Sequence, residues 1–221
     1  MNIDIRHTIA KRVAKLLKNG QVVNLGIGIP TLVPDYIEED QNVIFQSENG
    51  IIGVGPKADE SNIDLDYIDA GANLITIKPG TSFLDSSTSF GFVRSGRIDV
   101  TVLGALQADE KGNLANWAIP DKIVMGYGGA MDLVSGVPIV ILAMEHTVKG
   151  KPKIMKNCNY PLTGANCVKY IVTEFGLMEI TDKGIVLKEL TEGTTVEMIQ
   201  NVTEAKLIIP DEIGIMEVIY E

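Results

Sequence analysis

The sequence predicts an α/β protein built on an open, mostly parallel sheet with flanking helices, and three observations predict it. The run Pro138-Ile139-Val140-Ile141-Leu142-Ala143-Met144 is apolar on both faces, as a central parallel strand covered from each side must be. The chain opens with an amphipathic segment that carries Ile5, Ile9, Val13, Leu16 and Leu17 on one stripe and Arg6, Lys11, Arg12, Lys15 and Lys18 on the other. The 22 glycines gather where apolar runs end and turns begin. With 221 residues, 45% of them apolar, the chain can bury a substantial core, and residues 1–221 read as a single domain. It has no internal repeat, low-complexity tract or long linker.

In chain order, the first helix stops at Gly20, a residue suited to the position after a helix C-cap. Gln21 to Leu25 is a short apolar strand. Gly26 to Gly28 then turns into a helix opened by Pro30 and Thr31. Asn42-Val43-Ile44-Phe45 is a β-type run that leads to Glu48. A glycine-rich loop from Gly50 to Pro56 and an acidic stretch from Asp59 to Asp69 come next. Further strands are expected at Ala72–Ile77, Ile98–Leu103, Val137–Met144 and Val168–Thr173, and helices at Ser86–Arg94 and Thr194–Val202. Asp109-Glu110-Lys111-Gly112-Asn113 and Asp182-Lys183-Gly184 carry hairpin-turn chemistry.

Composition narrows the function. An aromatic content of 5% is poor for stacking bases, and a net charge of −10 opposes nucleic acid and anionic membrane surfaces. The exception is Lys149-Gly150-Lys151-Pro152-Lys153-Ile154-Met155-Lys156, four lysines in eight residues, which is either a solvated loop or a phosphate-facing patch. Cys158 and Cys167 form neither a disulfide framework nor a zinc site, and read as reduced thiols. The start, Met1-Asn2-Ile3-Asp4-Ile5-Arg6, has no basic head before an apolar stretch, and no apolar run approaches the roughly 20 residues that span a bilayer. A cytoplasmic protein with no metal is the expectation.

Chemistry concentrates in Phe45-Gln46-Ser47-Glu48-Asn49-Gly50-Ile51-Ile52-Gly53. One carboxylate stands at the carboxyl end of a strand, where ligands of open α/β sheets collect. Such a carboxylate can be a base, a metal ligand or a nucleophile. Gly26-x-Gly28-x-Pro30 exposes backbone amides between strand and helix, but it lacks the third glycine of a dinucleotide fingerprint. Gly126-x-Gly128-Gly129-Ala130-Met131-Asp132-Leu133 is a second glycine cluster whose amides can approach a ligand oxygen. His146 is better suited to a structural hydrogen bond than to base catalysis. His7 reads as solvated, and Trp117 as a core or interface residue.

The segment Ser47-Glu48-Asn49-Gly50 resembles the signature around the catalytic glutamate in the β subunits of family I CoA-transferases of the acetoacetate (3-oxoacid) type. The likeness extends in order and spacing through Asn24-Leu25-Gly26-Ile27-Gly28-Ile29-Pro30, Val102 to Gln107, Leu114-Ala115-Asn116-Trp117, Gly128 to Leu133 and Ala143-Met144-Glu145-His146. It implies a fold related to ribose-phosphate isomerases. It also implies transfer of CoA between short-chain acids such as acetoacetate, acetate and butyrate through a glutamyl-CoA thioester on Glu48. By the same resemblance the Gly129 amide donates to an oxyanion, and Asn24, Gly26, Gly28, Asn49, Gly50 and Gly128 bind CoA. No cofactor is held permanently, since acyl-CoA is a substrate. The α-type Gly-Gly-Phe motif is not found here, which implies a hetero-oligomer with an α subunit. Tyr127 stands where many relatives have Met, and Ala72 where some have Lys, so the acid pair stays open. A thioester hydrolase or sugar-phosphate isomerase using Glu48 as base, or a non-catalytic sensor, would fit the same fold.

Overall fold

The computed structural model describes residues 3–38 and 40–220. Met1 and Asn2, the start of the N-terminal stretch read above, lie outside the described residues. Eleven strands make the main sheet: β1 Val22–Leu25, β2 Ile44–Ser47, β3 Ile51–Lys57, β4 Ile75–Phe83, β5 Val100–Leu103, β6 Ile139–Ala143, β7 Val168–Thr173, β8 Gly176–Thr181, β9 Gly184–Thr191, β10 Leu207–Ile208 and β11 Gly214–Met216. Their order is β10-β9-β8-β7-β6-β5-β1-β2-β3-β4, with β11 also beside β9. The five central strands, β7 to β2, run parallel. Antiparallel pairs β2/β3/β4 and β7/β8/β9 extend them on either side.

The sheet is covered on both faces because strands such as β6 are apolar on both. Val140 and Leu142 join one core with α3 (Ala130–Gly136) and α4 (Val196–Asn201). Ile141 and Ala143 join the other, with α1 (Ile5–Ala14) and a 3-10 helix, Ile29–Tyr36. The expected strands at 98–103, 137–144 and 168–173 are present to within two residues at each end, and α2 occupies Ser86–Arg94 as read. Asp85 caps α2 by accepting from the Thr88 amide at 3.0 Å.

Four expectations need correcting. The α-helical part of the first segment ends at Ala14, and i→i−3 bonds from Leu16 and Leu17 tighten its last turn. The helix opened by Pro30 is a 3-10 helix, with Pro34, which has no N–H to donate, inside it. Gly50 to Pro56 is mostly strand β3 rather than loop. A Cβ at Gly53 would stand 2.7 Å from Thr81 Oγ1, and one at Gly55 would stand 2.5 Å from Thr76 Oγ1, so these glycines admit β4 across a bulged ladder. Finally, β8, β9 and the far half of β4 lie outside the strands expected above, although the hairpin turn read at Asp182-Lys183-Gly184 does join β8 to β9. The apolar pattern of β8 and β9 is broken by Glu179, Lys188 and Glu189, whose charges pair with Lys169 and with each other near the surface or, for Glu189, with Arg12 in a part-buried ion pair.

Strand β2 lies on one side of β1 and β5 on the other, so the crossover direction reverses between β1 and β5. The carboxyl ends of strands at such a reversal are where a crevice opens.

Candidate active site

Ser47 ends β2 and Ile51 begins β3, and the four residues Ser47–Gly50 form a tight turn closed by the Gly50 amide donating to Ser47 O at 3.0 Å. Gly50 has φ +121°, and a Cβ there would overlap the Leu84 carbonyl, whose own amide donates to Gly50 O at 2.8 Å. Only glycine makes this turn. Glu48 therefore sits at the tip of a hairpin at the carboxyl edge of the sheet. Its neighbours secure the tip: Ser47 Oγ accepts from the Ala70 amide at 2.9 Å, and Asn49 Nδ2 donates to Ile68 O at 2.8 Å.

Glu48 is half-buried, and burial raises its pKa above the ordinary carboxylate range. The Gly129 backbone amide is directed at the carboxylate and partly offsets this, while the negative charge of Asp132 adds to it. Gly129 has no room for a side chain. A Cβ would collide with Glu48 Oε2 and would stand 2.8 and 2.9 Å from the Phe90 ring of α2. Around this pair opens a cleft of about 480 Å³. Gly26, Gly104, Asn116 and the segment from Met125 to Gly129 line it. Gly26 is held there by its amide donating to Val102 O at 2.8 Å.

The structure thus gathers Glu48, Gly129, Gly128 and Gly26 at one cleft. Asn49 does not line it: it stands exposed beside Glu48 in the turn, bonded to Ile68, and Gly50 shapes that turn. Gly28 faces elsewhere: with φ +96° it caps the 3-10 helix and accepts from the Thr31 amide and hydroxyl at 3.2 and 2.8 Å. Asn24, expected from the resemblance to contact CoA, is held inside the sheet in this structure. It is 1% exposed; its Nδ2 donates to Gln46 Oε1 at 2.6 Å and its Oδ1 accepts from Thr101 Oγ1 at 3.1 Å. Gln46 in turn donates to Ser89 Oγ at 2.9 Å, so a buried chain of side chains ties β5, β1 and β2 to α2 beneath the site.

Phe90 and Asp132 were missed as neighbours of Glu48, and no local signal in their segments reveals it. Asn116 carries a resemblance motif without a role; here its Nδ2 donates to Gly104 O at 3.3 Å and its Oδ1 accepts from Thr163 Oγ1 at 2.6 Å. His146 is fully buried, its Nδ1 and Nε2 paired with the hydroxyls of Thr173 and Thr203 at 2.9 and 2.8 Å, and burial lowers its pKa to about 4. His7 is half-buried rather than solvated, its Nδ1 2.6 Å from Tyr36 Oη. The lysine-rich segment folds as a hairpin from Thr147 to Pro152 with Lys149, Lys151 and Lys156 exposed, while Lys153 turns inward and burial lowers its pKa. Among the described residues, no cluster of three or more His, Cys, Asp or Glu side chains could hold a metal ion. No helix among them is long and apolar enough to cross a membrane.

The sequence profile of the family described as Coenzyme A transferase matches residues 6–201. The chain is 45% identical over 203 residues to the B-type subunit of the succinyl-CoA:3-ketoacid coenzyme A transferase of Helicobacter pylori, covering 91% of this chain and 98% of that one. It is 43% identical over 205 residues to the beta-type subunit of the acetate CoA-transferase of Escherichia coli K12, covering 92% and 94%. Among solved structures, the acyl-CoA transferase apoenzyme of Escherichia coli O157:H7 superposes with a TM-score of 0.77 at 21% identity. That match covers 98% of this chain but only 44% of the other.

Proposed function

From the premise that this chain belongs to the coenzyme A transferase family, we propose that it is the nucleophile-bearing β-type half of an enzyme that moves CoA between short-chain acyl-CoA and acids such as acetoacetate, acetate or butyrate. One observation carries the reading. Glu48 is a half-buried carboxylate facing a backbone amide, and among the described residues no histidine or metal cluster accompanies it. A lone carboxylate in such a setting suits covalent exchange between acyl bonds of similar energy.

The steps balance without a net proton. The Glu48 carboxylate attacks the thioester carbonyl; the C–S bond breaks, CoA leaves as thiolate, and an acyl-glutamyl anhydride forms. The thiolate then attacks the glutamyl carbonyl and displaces the acid as its carboxylate, leaving a glutamyl-CoA thioester. A second acid reverses both steps and departs as acyl-CoA. When the thiolate adds to the glutamyl carbon, negative charge grows on an oxygen of Glu48, the group at which the Gly129 amide is already aimed. A donor placed there stabilises the transition state with little reorganisation. Partial burial of Glu48 strips solvent from the nucleophile and limits hydrolysis of the anhydride.

The relatives, named as B-type and beta-type subunits, support a partner. So does the Escherichia coli O157:H7 chain, of which this chain covers 44%. Among the residues lining the cleft, Ile27, Met125 and Tyr127 are exposed, an apolar margin suited to burial against an α-type partner. The reading carries with it a cytoplasmic hetero-oligomer with no resident cofactor.

The test is covalent capture. The co-expressed complex, incubated with an acyl-CoA and no acceptor, should bear CoA on the peptide from Phe45 to Gly53 by mass spectrometry. Hydroxylamine or borohydride should inactivate it only after that exposure, and Glu48→Ala should abolish both labelling and transfer. Normal transfer with Glu48 unlabelled would end this reading; a hydrolase or isomerase using Glu48 as base would leave no adduct.

A further inference from the structure

A second cavity, of about 280 Å³, adjoins the Glu48 cleft and shares with it Leu25, Gly26, Ile27 and Ala70. It lies on the face of the sheet covered by α1 and the 3-10 helix. Its walls are mixed: Leu32, Phe45 and Val54 are apolar, whereas Thr31, Ser47 and Asn73 are polar. Two of those polar groups keep hydrogen-bonding capacity. The Ser47 hydroxyl accepts from the Ala70 amide and has its own proton left to donate, and Asn73 commits its Nδ2 to Asp69 and has Oδ1 left to accept.

The lysine and arginine side chains that reach the cavity are Arg6 and Lys57, both exposed, and neither forms an ion pair among the described residues. Both stand at the end remote from Glu48. Lys57 lies six residues beyond Ile51, which pairs with Ser47, so at about 3.3 Å per residue the bulged strand β3 carries it roughly 15–20 Å from the Glu48 turn. Arg6 adjoins His7, whose Nδ1 is 2.6 Å from the hydroxyl of Tyr36, the last residue of the 3-10 helix. Burial raises the pKa of Asp35 at that end, and His7 and Lys57 partly offset the rise. The other carboxylate, Asp69, sits beside Ala70 at the shared wall and already accepts from the Gly71 and Asn73 amides at 2.8 and 2.9 Å. The far end thus sets two cations against one carboxylate, in a chain whose net charge is −10.

We propose that Arg6 and Lys57 hold the phosphates of CoA, with its pantetheine arm lying in this cavity, so that the chain selects thioesters bearing the phosphorylated nucleotide over thioesters that stop at pantetheine. The inference rests on the transferase reading above and assigns the charged end of its substrate to two residues. About thirteen bonds join the CoA sulfur to the first phosphorus. An extended chain gains about 3.3–3.6 Å for every three such bonds, or about 15 Å in all. A thioester held at Glu48 therefore delivers its phosphates to the end where Arg6 and Lys57 stand. The arm carries amides and a hydroxyl between methylene and methyl groups, and a wall of mixed character pairs the first while it desolvates the second. Contacts remote from the reacting carbon raise kcat as well as lower KM when they hold the thioester against its nucleophile.

The experiment uses the co-expressed complex with butyrate as acceptor, takes acetyl-CoA and S-acetylpantetheine as alternative donors, and reads the ratio of their kcat/KM values. Wild type should prefer acetyl-CoA, and raised salt should shrink the preference, because exposed charges are screened. Arg6→Gln and Lys57→Gln should each lower kcat/KM for acetyl-CoA by roughly three- to tenfold, and the double variant by more, while S-acetylpantetheine changes by less than about twofold. Lys149→Gln/Lys151→Gln removes as much charge from the exposed hairpin and should leave the ratio unchanged. Thermal unfolding and CoA labelling of Glu48 are measured in parallel, and either single variant reads the same ratio if the double variant fails to fold. Equal losses for the two donors would mark a structural role and overturn the proposal, as would an equal fall in the ratio for the hairpin variant. A ratio unmoved in the folded variants, with Glu48 still labelled, overturns it and leaves the transferase reading intact. Absence of label in wild type removes both.

Discussion

Replacing Gly129 with alanine adds one methyl group at the most crowded point of the site. Its Cβ would meet the Phe90 ring at 2.8 and 2.9 Å and would overlap Glu48 Oε2. Distances below about 3 Å between carbon atoms lie well inside the 3.5–4.0 Å optimum, so a neighbour must move. Either the ring shifts or the carboxylate swings off the amide. In the second case the donor to the developing oxyanion is lost, and donors of this kind are worth about 2.7–4 kcal/mol, or 10²–10³ in kcat. CoA binding depends on remote parts of the substrate, so KM for acyl-CoA should change by less than about threefold. The measurement is steady-state kinetics on the assembled complex together with single-turnover formation of the Glu48–CoA adduct. Gly129→Ala/Phe90→Ala separates the two causes. It removes the ring contact while leaving the carboxylate contact, so activity should stay low. Recovery in the double variant, or a loss that falls mainly in KM with kcat little changed, would refute the oxyanion argument.

Other expectations follow from the same geometry. Because burial and Asp132 raise the Glu48 pKa, the attacking carboxylate is lost earlier on acidification than an ordinary glutamate, whose pKa is about 4.3; the acid limb of kcat/KM should lie above that value. Asp132→Asn removes a negative charge and also frees Arg94, bonded to it at 2.8 Å, so the limb should move to lower pH; an unmoved limb would assign it to another group. Asn24→Ala should lower stability by about 1–3 kcal/mol, through the unpaired Gln46 amide, with KM for CoA unchanged. A raised KM at unchanged stability would restore Asn24 to the CoA-contacting role the resemblance implies. His146 has a folded pKa lowered to about 4, so the unfolded state takes up the proton first as pH falls through about 6.5. Its contribution to stability is present at neutral pH and is lost between those values, by about 3 kcal/mol. His146→Gln should flatten Tm against pH over that window.

The part of the fold that was legible depended on segments whose local pattern matches their tertiary setting. Strand β6, apolar on both faces, and α2, capped by Asp85, declare themselves. Strand β3 does not, because Gly53 and Gly55 look like turn residues until Thr81 and Thr76 of β4 are brought over them. The meaning of those glycines lies 28 and 21 residues away in the chain. β8 and β9 were hidden by charges that pair only once α1 and the neighbouring strands are in place, as Arg12 does with Glu189 at 2.6 Å.

The site divides along the same line. Glu48 and Gly129 could each be singled out from local wording, yet the wording does not show what the fold sets against them. Phe90, on α2, leaves Gly129 no room for a Cβ, and Asp132, three residues past Gly129 on α3, adds to the effect of burial on a carboxylate that lies far from it in the chain. Conversely Asn24, equally prominent in sequence, is drawn away from the cleft by Gln46 and Thr101, which use both ends of its amide. A polar residue at the end of a strand can face ligand or bind its neighbours. The choice is made by whether adjacent strands offer partners of the right kind. For β1 they do, since Gln46 and Thr101 flank Asn24 on both sides in register. For Glu48, one residue past the end of β2 in a hairpin turn, no adjacent strand reaches it. Among the described residues its carboxylate meets the Gly129 amide and the cleft, with no cation paired to it, and a charge left with so few partners is available for chemistry.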